Sequence, residues 1–188
     1  MVKTILFSLV YLLPCILLAP ANAADQGSLL VKDNPQFIKL LTYEIQNRAF
    51  ALKSVSRSVK VRAGEPDEKM WAAYFALEQL NKKKYKPVAE KFGISQEATF
   101  FTKTKTWLGG VFGGLFPKTA LNGIKDATIA YVEKLEELEK LAGSEDKAFF
   151  RYVVLQEKVQ AQALTFLTEG KAEQAAAVME AFVAQYDE

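Results

Sequence analysis

The chain of 188 residues contains no histidine, and its single cysteine, Cys15, lies in an apolar N-terminal stretch. Without imidazole there is neither the usual general base of neutral pH nor a His-ligated zinc, iron or copper. Without a second cysteine there is no intrachain disulfide, and past position 15 there is no thiol nucleophile and no covalently attached haem. Proline is scarce, at 6 residues, and four of the 10 glycines crowd into positions 109–114. No segment alternates apolar and polar residues with period two between turn signals, which excludes a sheet. Neither sign of charge dominates: 24 Lys and Arg stand against 22 Asp and Glu. Such balance excludes the basic footprint of a nucleic-acid partner. No nucleophile–base pair and no phosphate loop is legible, since the paired glycines lack a preceding strand. No catalytic residue is therefore assigned, and a non-enzymatic role is expected.

What is present begins with an export signal. Lys3, the apolar run Ile5 to Leu18 and the small residues of Ala21-Asn22-Ala23 form its three parts, and cleavage is expected after Ala23. Pro14 and Pro20 interrupt the run, which is shorter than the roughly 20 residues of a spanning helix. Pro14 before Cys15 also disfavours lipidation. The expected product is a periplasmic or extracellular chain, residues 24–188. Removing 23 of 188 residues leaves 165, enough for one domain with a real core.

Five helices are expected in it. Asn34 caps the first with Pro35 in its first turn, and Gly64 ends it after Val61. Glu65-Pro66-Asp67-Glu68 opens the second, which runs to Phe92, with Gly93 as C-cap and Pro87 kinking its last turns. Pro117 and Thr119 open the third, which ends at Ala142-Gly143. Ser144-Glu145-Asp146-Lys147 caps the fourth, which reaches Glu169-Gly170. A short fifth covers Lys171 to about Tyr186. Short connections make neighbours antiparallel. The segment of residues 93–118 is long for a bundle loop and returns the chain along the bundle, so helices two and three run parallel.

At about 100° per residue, three of these helices carry an apolar stripe broken once by polar residues. The first presents Phe37, Leu41, Glu44, Arg48, Val55 and Val59. The second presents Trp71, Tyr74, Phe75, Glu78, Asn81, Tyr85, Val88 and Phe92. The fourth presents Phe149, Val153, Gln156, Glu157, Gln160, Ala163, Leu164 and Leu167. Buried carboxylates need partners or a raised pKa, so Glu44, Arg48, Glu78, Asn81, Gln156, Glu157 and Gln160 are expected to meet at one level.

This pattern resembles the ferritin-like di-iron bundles. They place a lone carboxylate on the first and third core helices, Glu-x-x-His on the second and fourth, and a long crossover between the second and third. Glu44 stands in the first lone position; Glu78-Gln79-Leu80-Asn81 and Glu157-Lys158-Val159-Gln160 stand in the Glu-x-x-His places. The resemblance implies a four-helix up-down bundle, here with a fifth helix. It also implies an alternative function, a divergent metal-binding protein or oxidoreductase. The chain departs from the pattern in three ways. Asn81 and Gln160 replace the histidines, and Arg48 brings a fixed positive charge one turn from Glu44. The third helix, with its stripe Leu121, Ile124, Thr128, Tyr131, Val132, Leu135 and Leu138, turns Glu133 away and leaves Glu136 and Glu139 at the margin.

The polar cluster thus has three readings. It is a metal-free hydrogen-bonded network, an all-oxygen site for a hard cation such as Mg²⁺, Ca²⁺ or Mn²⁺, or part of a small-ligand pocket walled by Trp71, Tyr74, Tyr85 and Tyr131. No cofactor is expected from the first. The segment Thr106 to Pro117 offers another contact. Trp107, Leu108, Phe112, Leu115 and Phe116, spaced by paired glycines and flanked by Lys103, Lys105 and Lys118, suit a membrane surface or a protein partner; otherwise they tuck into the bundle. Lys82-Lys83-Lys84 with Lys86 reads as a solvated face, as do the alternating charges of Glu133 to Lys140, paired along their own helix.

Overall fold

The computed structural model describes residues 34–97 and 118–187, the side chains of 118–120 apart. The segment expected to be an export signal, with Cys15, and the residues Trp107, Leu108, Phe112, Leu115 and Phe116, lie outside the described residues. Among the described residues the fold is all-helical. It comprises α1 (Pro35–Val61), α2 (Glu68–Lys91), α3 (Lys118–Leu141), a 3-10 turn (Ser144–Asp146), α4 (Lys147–Thr168) and α5 (Ala172–Tyr186). None of these helices is long and apolar enough to cross a membrane.

The local signals act much as the sequence suggests. The Asn34 side chain accepts from the backbone N–H groups of Gln36 and Phe37 at 3.0 and 3.2 Å, satisfying two orphan donors, while Pro35 occupies the first turn. α2 and α4 both end in a Schellman motif. Beyond α2, Ile94 N–H reaches Ala89 O at 2.8 Å and Gly93 N–H reaches Glu90 O; beyond α4, Lys171 N–H reaches Phe166 O at 2.8 Å. Both motifs require positive φ, met by Gly93 at +66° and Gly170 at +78°. Pro87 sits inside α2 with its ring exposed, and the helix continues to Lys91.

One local expectation needs correction. Ser144-Glu145-Asp146 forms a 3-10 turn and supplies no side-chain cap to α4. Its acids instead hold Lys91, with Nζ 2.6 Å from Glu145 and 2.7 Å from Asp146, pinning the end of α2 to the start of α4. Asp67, the residue before α2, has a structural task of another kind and makes no side-chain cap. It accepts from Arg62 Nε and Nη2 at 2.9 and 2.6 Å and from Trp71 Nε1 at 2.9 Å, fastening the α1–α2 turn.

Side-chain pairs fix the helix directions. Arg62 meets Asp67 and Glu44 meets Tyr85, so α1 and α2 are antiparallel. Gln36 bonds Glu137 while Glu44 bonds Tyr131, so α1 and α3 are antiparallel and α2 and α3 share a direction. Tyr74 meets Gln160 and Lys91 meets Asp146, making α2 and α4 antiparallel. Lys69–Glu173 and Lys83–Asp187 run α5 alongside α2. α5 packs on both α2 and α4, its buried Ala175 and Ala176 allowing close approach and its Met179 and Phe182 filling the seam.

The core has an apolar layer at each end and a polar one between. Phe37 packs on Phe92 and Phe150 with ring centroids 5.4 and 5.5 Å apart, and Phe149 meets Tyr85 at 5.0 Å. Val55, Met70, Trp71, Ala163 and Leu164 are buried toward the other end. The charged residues of α3 reach across to α4 rather than along their own helix: Glu136 pairs with Lys158 at 2.7 Å and Glu139 with Arg151 at 3.8 Å. Glu136 and Glu139, at the margin of the stripe that packs on α4, lie within reach of its cations, and these pairs replace the expected in-helix ladder.

Candidate functional site

All seven polar residues expected at one level are buried and come together there. Glu44, Asn81 and Gln156 are fully screened from solvent. Arg48 is the hub. Its Nη1 lies 3.0 Å from Glu78 Oε1, its Nη2 3.3 Å from Glu157 Oε2, and its Nε 3.3 Å from Glu44 Oε1, the last without the alignment of a hydrogen bond. One guanidinium therefore serves three carboxylates from three helices. Its planar fork makes this possible, because its donors point in separate fixed directions.

The amides complete the layer. Asn81 Nδ2 donates to Glu78 Oε2 at 3.3 Å and to Gln156 Oε1 at 3.1 Å. Gln156 Nε2 donates to Glu157 Oε2 at 3.1 Å, and Gln160 Nε2 donates to Glu78 Oε1 at 3.3 Å and to Gln156 Oε1. Asn81 and Gln160 thus each donate to the Glu78 carboxylate and to the Gln156 amide oxygen, which neutral amides do without titrating.

Four tyrosines seal the layer. Tyr85 and Tyr131 each donate to Glu44, at 2.6 Å to Oε1 and 2.8 Å to Oε2; Tyr74 donates to Gln160 Oε1 at 2.7 Å, and Tyr152 to Asn81 Oδ1 at 2.6 Å. Tyr74, Tyr85 and Tyr131 were expected as walls of a pocket, yet their hydroxyls are members of the network. Trp71 stacks on Tyr74 and bonds to Asp67. Tyr152 is the one member of the layer that does not lie on the stripes expected from the sequence. Its signal is its place one turn before Gln156, on the same face of α4.

The electrostatics follow from charge in a dry layer. With all three glutamates ionised the cluster would hold two excess negative charges. Burial, only partly offset by Arg48, pushes Glu78 above the usual carboxylate range and Glu157 up to about 7. Burial opposes the charge of Arg48, but Glu157, Glu78 and Glu44 outweigh it and hold the guanidinium charged. Burial raises the Tyr85 and Tyr131 hydroxyls, and Glu44 beside them raises them further, so both remain donors.

As a cation site the donor set does not fit. The guanidinium stands where the carboxylates converge, and the amide oxygens of Asn81, Gln156 and Gln160 are occupied by donors. Among the described residues no group of three or more His, Cys, Asp or Glu is arranged to hold a metal ion. Arg48 and Tyr85 also form part of the wall of a cavity of about 390 Å³, beside Leu52, Lys53 and Lys82. No protein family, curated protein or solved structure matches the chain.

Proposed function

We propose that this chain is an exported, non-enzymatic helical-bundle protein with a binding or structural role. In this reading it is a ferritin-like four-helix bundle with a fifth helix, and an arginine has replaced the metal. The observation that carries it is the simultaneous ion pairing of Arg48 with Glu44, Glu78 and Glu157. A metal centre balances converging carboxylates with a cation; here a covalently attached cation does so. The parallel α2 and α3, joined by the long segment between them, support the same reading. The glutamates then serve to specify the helix register rather than to react, a use of buried polar networks that needs every member satisfied. The segment 106–117 is proposed to meet a membrane surface through Trp107, Leu108, Phe112, Leu115 and Phe116.

The test is the metal content, by mass spectrometry, of protein taken from its export compartment without chelator or histidine tag. Folded, cooperative, metal-free protein is expected. Near-stoichiometric metal, lost in Glu78→Ala or Glu157→Ala, would overturn the reading in favour of a histidine-free metal protein.

A further inference from the structure

The chain is nearly neutral as a whole, but the fold sorts its charges. α1 carries Lys39, Arg48, Lys53, Arg57 and Lys60 against one acid, Glu44. Glu44 and Arg48 are buried together in the polar layer, so every exposed charge on α1 is positive. α5, which packs on α2 and α4, carries Glu173 and Glu180 and no cation.

Lys53, Arg57 and Lys60 follow one another by four and three residues, which sets them on one face of the C-terminal half of α1. All three are exposed, and none has an ion pair among the described residues. The crossover offers them no acid either: from Ala98 to Lys125 the sequence holds Lys103, Lys105, Lys118 and Lys125 and neither Asp nor Glu. Only Lys60 lies in the last turn, where a cation complements the helix dipole; Lys53 and Arg57 lie further in. Val61, at the end of the stripe, is 55% exposed.

The fold brings these two acid-free stretches to one end of the bundle. Gln36 pairs with Glu137 and Glu44 with Tyr131, so α3 starts toward the C-terminal end of α1. Lys118, the first residue of α3, follows directly on the segment 106–117. That segment therefore ends where the stripe is exposed. The acids Asp67 and Asp126 at this end are already paired, with Arg62 at 2.6 Å and with Lys125 at 3.4 Å. Grouped cations without acids repel one another, a cost that an anionic surface removes.

From this we infer that Lys53, Arg57 and Lys60, with Val61 beside them, dock on the anionic phospholipid headgroups of a membrane, next to the contact proposed for residues 106–117. The inference rests on that membrane role and adds a face of the folded bundle and a charge preference. The three cations meet headgroup phosphates, and Val61 adds an apolar contact.

Sedimentation with vesicles tests it, using phosphatidylcholine alone and phosphatidylcholine mixed with phosphatidylglycerol. The protein is expected to prefer the mixed vesicles by at least about tenfold and to lose that preference in high salt. Lys53→Gln with Arg57→Gln and Lys60→Gln is expected to abolish the preference while thermal unfolding changes little, since all three are exposed and unpaired. The same charge removed from exposed positions toward the other end, in Lys134→Gln with Lys140→Gln and Lys147→Gln, is expected to leave the preference within about threefold. An α1 variant that keeps the preference, or a control variant that loses as much, would overturn the inference. If Trp107→Ser with Phe112→Ser then still releases the protein, the contact of 106–117 stands without the stripe. If that variant keeps the preference and the α1 variant loses it, the stripe stands alone. A parent protein that sediments with neither vesicle overturns both. Binding of polyglutamate but not of vesicles through the same three residues would overturn the inference in favour of an acidic protein partner.

Discussion

The Tyr152 hydroxyl donates a 2.6 Å hydrogen bond to Asn81 Oδ1 and thereby sets which way the Asn81 amide faces. With the oxygen held by α4, Nδ2 is left to point at Glu78 and Gln156. A neutral amide so oriented becomes a fixed donor to a buried carboxylate.

Removing that hydroxyl while keeping the ring isolates its role. Tyr152→Phe retains the packing on Phe182 and Tyr186. It leaves Asn81 Oδ1 without its donor, at an expected cost of about 1–2 kcal/mol in urea unfolding. A change below about 0.3 kcal/mol would show that the amide is oriented by other means.

Arg48→Met tests the guanidinium as internal counter-charge. The substitution leaves three buried carboxylates with no cation, and the expected loss at pH 7.5 is more than about 3 kcal/mol. At pH 4.5 the gap to the unsubstituted protein narrows. Acidification discharges Glu78 and Glu157, which burial already holds above the usual range. Equal gaps at the two pH values, read from denaturant curves, would mean that Arg48 acts through packing alone.

Much of this was legible in the chain before its structure. The helix ends at Pro35, Gly64, Gly93 and Gly170 follow from residues with few conformational options. Glu44, Glu78 and Glu157 announce themselves because a carboxylate on an apolar stripe needs a partner. The partners were harder to read. Tyrosines at helical spacing look the same whether their hydroxyls face solvent or a glutamate 41 or 87 residues away, as for Tyr85 and Tyr131. Ser144 to Asp146 carries all the signs of a cap, and only the position of Lys91 in space decides otherwise. Local propensity is written locally, whereas side-chain pairing across helices depends on register, which a single stripe does not contain.

Glu157 gives the protein a pH dependence of definite sign. Its carboxyl is raised from 4.5 to about 7 in the fold, so between these values the folded state holds more protons than the unfolded one. This contribution is fully present below about pH 4.5 and is lost as the pH rises through about 7. Glu157→Gln abolishes it. The variant is expected to match the parent near pH 5 and to exceed it at pH 8 by roughly 1–3 kcal/mol. Arg48 keeps Glu44 and Glu78, so no charge is stranded. A variant less stable than the parent at pH 8 would show that the Glu157–Arg48 pair outweighs its burial.

The proposed membrane contact has its own assay. The protein is expected to sediment with vesicles of phosphatidylglycerol and phosphatidylcholine, and Trp107→Ser with Phe112→Ser is expected to abolish this. The loss of two large aromatic surfaces removes several kcal/mol of burial, whereas the flanking Lys103 and Lys105 remain. No sedimentation of the parent protein removes the proposal.

Glu44 is the member of the cluster on which two tyrosines converge, one on each oxygen. Each of these bonds ends on a charged acceptor, and such bonds contribute about 1.5–3 kcal/mol. Tyr85→Phe and Tyr131→Phe should each cost an amount in that range. Because both act on one carboxylate, their effects are coupled. After the first loss the carboxylate turns more fully to the remaining hydroxyl and to Arg48 Nε, 3.3 Å away. A double-mutant cycle should therefore give an interaction energy above about 0.5 kcal/mol. Strict additivity would mean that the two hydroxyls are held independently. Glu44 would then be passive between them, and the layer would be a set of separate pairs rather than one network.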